Sequence, residues 1–265
     1  MLAITTARIR AAGLASGIAF EIIVVDDSST KYQYGDSDAN GAIIVRHRIN
    51  RGYGSALATG IKHATYRWIG IVDADSTYPI ESFREMLSLM PKYQMVIGAR
   101  SWKDINWLRR VPKRVLTSLA SFLACRKIPD LNSGMRVFDR EIYERFPRIY
   151  PERFSFSSTL TMVSLTNAYD VCFLDIHYFQ RRGKSSIHPI KDPIRFSYQL
   201  LRLSLYFRPL RFFIPLGLIV GALASGRGLR DLLVVQHFGG LTIMLFFMTF
   251  QIFLFGLIAE IINKK

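Results

Sequence analysis

Over residues 1–190, short apolar runs alternate with helical patterns, and two longer apolar stretches follow. Residues 1–19 read as a helix, with Ile4, Ile9 and Leu14 among many alanines. Glu21-Ile22-Ile23-Val24-Val25 is a β-branched run that ends in Asp26-Asp27-Ser28-Ser29-Thr30, a strand giving way to acidic and hydroxyl residues. A second strand over residues 42–46 precedes Asn50-Arg51-Gly52-Tyr53-Gly54-Ser55-Ala56, which opens a helix. The apolar run from Trp68 to Val72 stops abruptly at Asp73-Ala74-Asp75. A short helix over 80–90 and a strand over 95–98 ending in Ala99-Arg100 come next. Strands alternating with helices imply an α/β fold, a mostly parallel sheet with helices on both faces.

Residues 101–127 are basic and helical in pattern, with Arg109, Arg110, Lys113 and Arg114 clustered. A polar loop from Ile128 runs into a strand at Arg136-Val137-Phe138. Residues 154–167 form a helix rich in Ser and Thr, and 171–179 a strand. The basic loop Gln180-Arg181-Arg182-Gly183-Lys184-Ser185-Ser186 follows. Residues 194–207 place Ile194, Tyr198, Leu201 and Leu205 at helical spacing with Arg195 and Arg202 between them, a pattern suited to a helix lying on a bilayer surface. Residues 238–259 carry no charge and have the ~20 residues needed to span. The run over 210–224, roughly 15 to 17 residues, spans only with help from its flanks. The expected organisation is a domain over 1–190, an interfacial helix over 191–208 and a transmembrane hairpin over 209–265.

The 265 residues are 50% hydrophobic and carry a formal net charge of +15, which calls for anionic partners. No nucleic-acid motif accompanies the charge, so phosphates and acidic lipid surfaces are the better match. The two cysteines, Cys125 and Cys172, lack metal-ligand spacing and read as reduced thiols. Arg8 and Arg10 interrupt the opening apolar segment, against a cleavable signal peptide.

Asp73 and Asp75 stand where open α/β sheets bind ligands, in the crevice beyond the strands' carboxyl ends. Two hard oxygen ligands so spaced suit Mg²⁺ or Mn²⁺ carrying a diphosphate. A solvated acidic turn has the same pattern. The stronger signal is convergence, since two strand ends carry acidic residues and a third carries Arg100. The loop around Arg181 and Lys184 reads equally as a phosphate clamp or a positive surface turn.

Taken together these segments resemble the family 2 glycosyltransferases of the GT-A fold, in the polyprenyl-phosphate, dolichol-phosphate mannose synthase-like branch. The resemblance implies that Asp26, Asp27, Arg51 and Asp73 contact a UDP- or GDP-linked sugar. It implies that Asp73 and Asp75 hold the metal, with Asp75, Arg100 and Arg181 at the reacting centre. Ser133, Gly134 and Arg136, in Asp130-Leu131-Asn132-Ser133-Gly134-Met135-Arg136, are similar to the acceptor-side loop, and Lys184 and Ser185 to the phosphate-gripping loop. The implied reaction is inverting transfer of a hexose to a polyprenyl phosphate in the bilayer. Basic flanks of the hairpin place the catalytic part on the cytoplasmic side.

Three positions depart from that family. The expected opening strand with a Pro-x-x-Asn-Glu-like turn has no counterpart before the first helix. Thr77 stands where the mannose-transferring members tend to carry a metal-side Gln, and Ser186 where a Lys usually follows the loop serine. A processive polysaccharide synthase is disfavoured because Gln180 is not followed by the Gln-x-x-Arg-Trp pattern. A membrane protein that binds lipid or a partner, with a degenerate donor site, is the rival from another class.

Overall fold

The computed structural model describes residues 2–29, 41–101, 107–152, 155–179 and 191–263, with the side chains of 107–113 and 191–196 outside that description. The chain divides into two compact units, Met1–Ser197 and Tyr198–Lys265. In the first, the elements run α1 (Leu2–Ser16), β1 (Ile23–Asp26), β2 (Ile43–Arg46), α2 (Tyr53–His63) and β3 (Trp68–Ile71). They continue through α3 (Ser82–Leu89), β4 (Met95–Arg100), α4 (Trp107–Ala124), β5 (Arg136–Asp139), α5 (Arg140–Glu144), α6 (Phe156–Thr166) and β6 (Val171–Ile176).

The strands form two sheets. β1 and β2 pair in parallel, while the second sheet has the order β3-β5-β4-β6. In that sheet β3, β4 and β6 run one way, and β5 lies antiparallel between β3 and β4. Three of these four strands share one direction, in keeping with the mostly parallel sheet expected, and β5 makes the sheet mixed. Among the described residues, β1 and β3 each have one edge that no strand pairs. Burial follows this layout: β4 and β5 are buried almost throughout, whereas Ile23, Val24 and Val25 of β1 are only half-buried.

The core packs Val96, Val137, Met135 and Ile176 of the sheet region against Met86 and Met90 at α3, with Tyr78 among them. On the other side, α6 buries Phe156, Leu160 and Val163. It also buries Ser158, Thr159, Thr161 and Ser164, several of which bond back to carbonyls one turn earlier, such as Thr161 Oγ1 to Ser157 O at 3.0 Å. That explains a helix built from so many hydroxyl residues. Their polar atoms are satisfied locally, and two of its groups also serve a neighbouring arginine (below).

α7 (Lys191–Phe207) buries Leu200, Leu203 and Ser204 and leaves Tyr198 and Tyr206 exposed. α8 (Leu210–Arg230) and α9 (Gly240–Asn263) are antiparallel neighbours within the second unit. α8 runs on through a π-helical turn to Val235, so the first apolar helix has 26 residues rather than the 15 to 17 of its charge-free run. The extension is possible because Asp231 is met inside the hairpin. Thr242 Oγ1 and the Gly239 N–H donate to it at 2.6 and 3.0 Å, and Arg227 lies 3.6 Å away. Gly217 and Gly256 let the helices approach closely, since a Cβ at either would press on Phe253 or Phe213 at 2.8 Å. Both helices are long and apolar enough to cross a membrane, with only 17% and 11% of their apolar windows buried.

Candidate active site

β1 and β3 end alike. Each gives way to an acidic stretch and then a serine in the left-handed region, Ser28 at φ 64° and Ser76 at φ 59°. Such outliers in non-glycine residues gather at ligand-binding turns. At the end of β1, Asp26 is buried, accepts the Ser29 N–H at 2.9 Å and lies 3.2 Å from Arg46. Asp27 accepts from the Arg51 N–H at 2.8 Å, the Gly52 N–H at 2.6 Å and the His47 ring at 2.7 Å. Burial opposes the charge on Asp27, but these donors outweigh it and hold its pKa below the ordinary 3.8. Both oxygens of Asp27 thus shape the loop that opens α2, and the Arg51 side chain is left exposed.

That loop delivers Tyr53, whose hydroxyl donates to Asp73 Oδ1 at 3.1 Å. α2 can begin there only because residue 54 is glycine: a Cβ would overlap the Pro151 carbonyl, and the Ser55 N–H donates to Glu152 O at 2.6 Å. Asp75 turns back on its own loop and accepts from the Thr77 N–H at 3.2 Å and Thr77 Oγ1 at 2.5 Å. Thr77 therefore fixes the second carboxylate.

Asp73 also meets the loop before β5. A Cβ on Gly134 would overlap Asp73 Oδ2, and the Gly134 N–H donates to the Tyr78 hydroxyl at 2.7 Å. Burial, with the nearby Asp73 charge adding to it, pushes the Tyr78 pKa up to about 12, so the phenol stays neutral. The Tyr78 ring packs edge-on against Tyr178 at 5.1 Å, and the Arg100 guanidinium lies over Tyr178 at 5.2 Å. Asp73, Gly134, Tyr78 and Arg100 thus share one cluster.

Arg100 is not a bare cation. Its Nε and Nη2 grip the fully buried Asp130 at 2.6 and 3.1 Å in a two-pronged pair. Burial works against the Arg100 charge, yet Asp130 more than compensates and raises its pKa. Arg136 is also fully buried, at 0% exposure, and its fork points inward. Nη1 donates to Ser157 O at 2.5 Å and Thr161 Oγ1 at 3.2 Å, and Nη2 donates to Ser133 O. It exposes no surface in this structure. Ser133 is likewise buried, its Oγ accepting from the Met135 N–H at 3.3 Å.

Of the expected residues, Asp73, Gly134, Arg100 and the turn at Asp75 come together at the carboxyl rim of β3 and β4. Asp26 and Asp27 lie at the end of the separate two-stranded sheet. Arg181, Lys184 and Ser185 lie outside the described residues. Tyr53, Tyr78 and Asp130 were not expected as site residues. Only tertiary contact shows that their polar atoms converge.

A GT-A-like α/β domain with an acidic rim, leading into an apolar helical hairpin, is the class of protein this fold and site define. The chain belongs to glycosyl transferase family 2, whose description matches residues 1–146, and residues 208–264 match the GtrB C-terminal hairpin. Among relatives, it is 27% identical over 143 residues to a dolichyl-phosphate hexose transferase of Haloferax volcanii, covering 52% of this chain and 62% of that one. It is 25% identical over 210 residues to the dolichyl-phosphate beta-glucosyltransferase ALG5C of Trichomonas vaginalis, covering 71% and 61%. In fold it is similar to glucosyl-3-phosphoglycerate synthase from Mycobacterium tuberculosis, solved with Mn²⁺, UDP-glucose and phosphoglyceric acid. The TM-score is 0.55 at 16% identity, with 75% of each chain covered. The chain spans 54% to 62% of the length of the first two curated relatives it matches.

Proposed function

We propose that the protein transfers a hexose from a nucleotide-diphosphate sugar to a polyprenyl phosphate at the cytoplasmic face of a membrane, with inversion at the anomeric carbon. The observation that carries this reading is the Asp73–Asp75 turn at the end of β3, bonded to Tyr53 of α2 and pressed by Gly134 from the loop before β5. Family membership supports glycosyl transfer, and the names of the relatives support a lipid phosphate as acceptor.

Asp73 and Asp75, one residue apart just beyond β3, are the carboxylates we assign to the ion, and among the described residues no group of three potential ligands clusters. That donor set fits Mg²⁺ or Mn²⁺, which take one or two protein carboxylates and fill the remaining positions with substrate phosphate and water. A bound ion supplies Lewis-acid neutralisation of the leaving diphosphate. The protein's own residues do the rest. Thr77 and Tyr53 orient the two carboxylates, and the Arg100–Asp130 pair keeps a guanidinium rigid beside them. The Phe179 N–H donates to Thr77 O at 2.9 Å, so the chain leading to Arg181, Lys184 and Ser185 departs from beside Asp75. Those residues and Arg51 would then counter the phosphates of donor and acceptor. A phosphate monoester acceptor is mostly dianionic at neutral pH, with a second pKa of about 6, so the reaction needs no strong general base.

The second reading, a lipid- or partner-binding protein with an impaired donor site, is favoured by one observation: β1–β2 stands apart from the main sheet. The test is transfer by membranes containing the full chain, supplied with Mn²⁺ and UDP- or GDP-linked hexoses, followed by mass spectrometry of the lipid fraction. Lipid-linked hexose that disappears with Asp75→Ala supports transfer. Lipid binding without nucleotide binding supports the second reading.

A further inference from the structure

Arg136 is the one charge in the cluster whose position the proposed reaction does not explain. The residue opens β5 and is flanked in the sheet by Ile71 on one side and Ile97 on the other. Its side chain is wholly buried, its Nε has no hydrogen-bond partner, and its other nitrogens meet only neutral oxygens. Among the described residues no carboxylate pairs with it. Burying an ion without a directly bonded counter-ion costs several kcal/mol, and an apolar side chain of similar volume would be cheaper. The guanidinium must therefore provide what an apolar residue cannot.

Its contacts show what that is. Nη1 is anchored on the first turns of α6, at Ser157 O and Thr161 Oγ1, while Nη2 holds the carbonyl of Ser133. The next residue, Gly134, is the one that rests against Asp73 and donates to Tyr78. The fork thus fixes the distance between α6 and the loop that presses on Asp73. Asp130 and Asp73 lie within electrostatic reach of the buried charge without bonding to it.

We propose that Arg136 is a positioning residue for donor binding: acting through Ser133 and Gly134, it sets the placement of the Asp73 carboxylate without touching donor or acceptor. This rests on the reading of Asp73 and Asp75 as the metal and diphosphate site. It differs from an acceptor-phosphate contact in which substrate it affects.

The test uses the full chain in membranes or detergent, as wild type and as Arg136→Lys, Arg136→Met and Thr161→Val. Binding of Mn²⁺ with UDP-glucose and with GDP-mannose is measured by calorimetry per folded molecule, alongside KM for donor and for polyprenyl phosphate. Loss of a supporting contact of this kind costs about 10–100-fold in affinity. The two Arg136 variants should lose donor binding on that scale with the acceptor KM unchanged. Thr161→Val keeps the charge, so it should shift donor binding the same way and less. If Arg136→Met fails to fold, the other two variants decide. A rise in acceptor KM with donor binding intact overturns the proposal, as does unchanged donor binding in every folded variant. Wild-type protein that binds neither nucleotide sugar with Mn²⁺ overturns the reading of the site itself.

Discussion

Asp27 shows how a charged residue at a strand end is claimed by its own loop. The carboxylate holds two backbone N–H groups and His47, and hydrogen bonds to a charged group are worth about 1.5–3 kcal/mol each way they are lost. Asp27→Asn should lower unfolding free energy by about that amount at pH 7, measured by chemical denaturation. Because the folded pKa lies below 3.8, the native state favours the ionised form, and this stability is complete above that value. The gap between wild type and Asp27→Asn should persist on acidification and close only below about pH 4, as the native carboxylate takes up its proton. Asp130→Ala leaves the Arg100 guanidinium buried without its partner and should cost about 3–5 kcal/mol in thermal unfolding. The sequence shows a carboxylate or an arginine at a strand end. It does not show that Asp130, thirty residues beyond Arg100, closes on it.

At the scale of elements, most strands and helices of the first unit stand where their periodicity puts them, because apolar runs and turn residues act locally. Two features needed the assembled sheet. β5 is the short strand Arg136-Val137-Phe138-Asp139, and its antiparallel direction shows only in its pairing with both β3 and β4. The first apolar helix outruns its uncharged stretch because Thr242, on the other helix, helps satisfy Asp231. The start of α2 gives a direct test. Gly54→Ala puts a methyl group into the Pro151 carbonyl, backbone that cannot swing aside as a side chain can. Overpacking of this kind costs about 1–3 kcal/mol. The variant should melt earlier, and it should bind nucleotide sugar more weakly, because Tyr53 next to it holds Asp73.

At the scale of the molecule, a basic chain with two long apolar helices has two ways to hold a membrane, by charge and by insertion. Attachment by charge alone is screened by salt. Insertion of both helices predicts that the full chain stays in the membrane pellet through washes with high salt and with alkaline carbonate. Release by either wash would remove the hairpin from the bilayer.

By itself the amino-acid sequence determined the order of elements, the acidic rim and the apolar hairpin, since each depends on residues close together in the chain. Tertiary structure decided which charges remain available at that rim. Asp27 and Asp130 are taken up by partners distant in sequence, Arg136 is drawn inward under α6, and Asp73 is set by Tyr53 and Gly134 from two other segments. The physical reason is that the environment of a charge is made by whatever folds against it, and hydrogen bonds across the sheet leave no pattern in the local sequence.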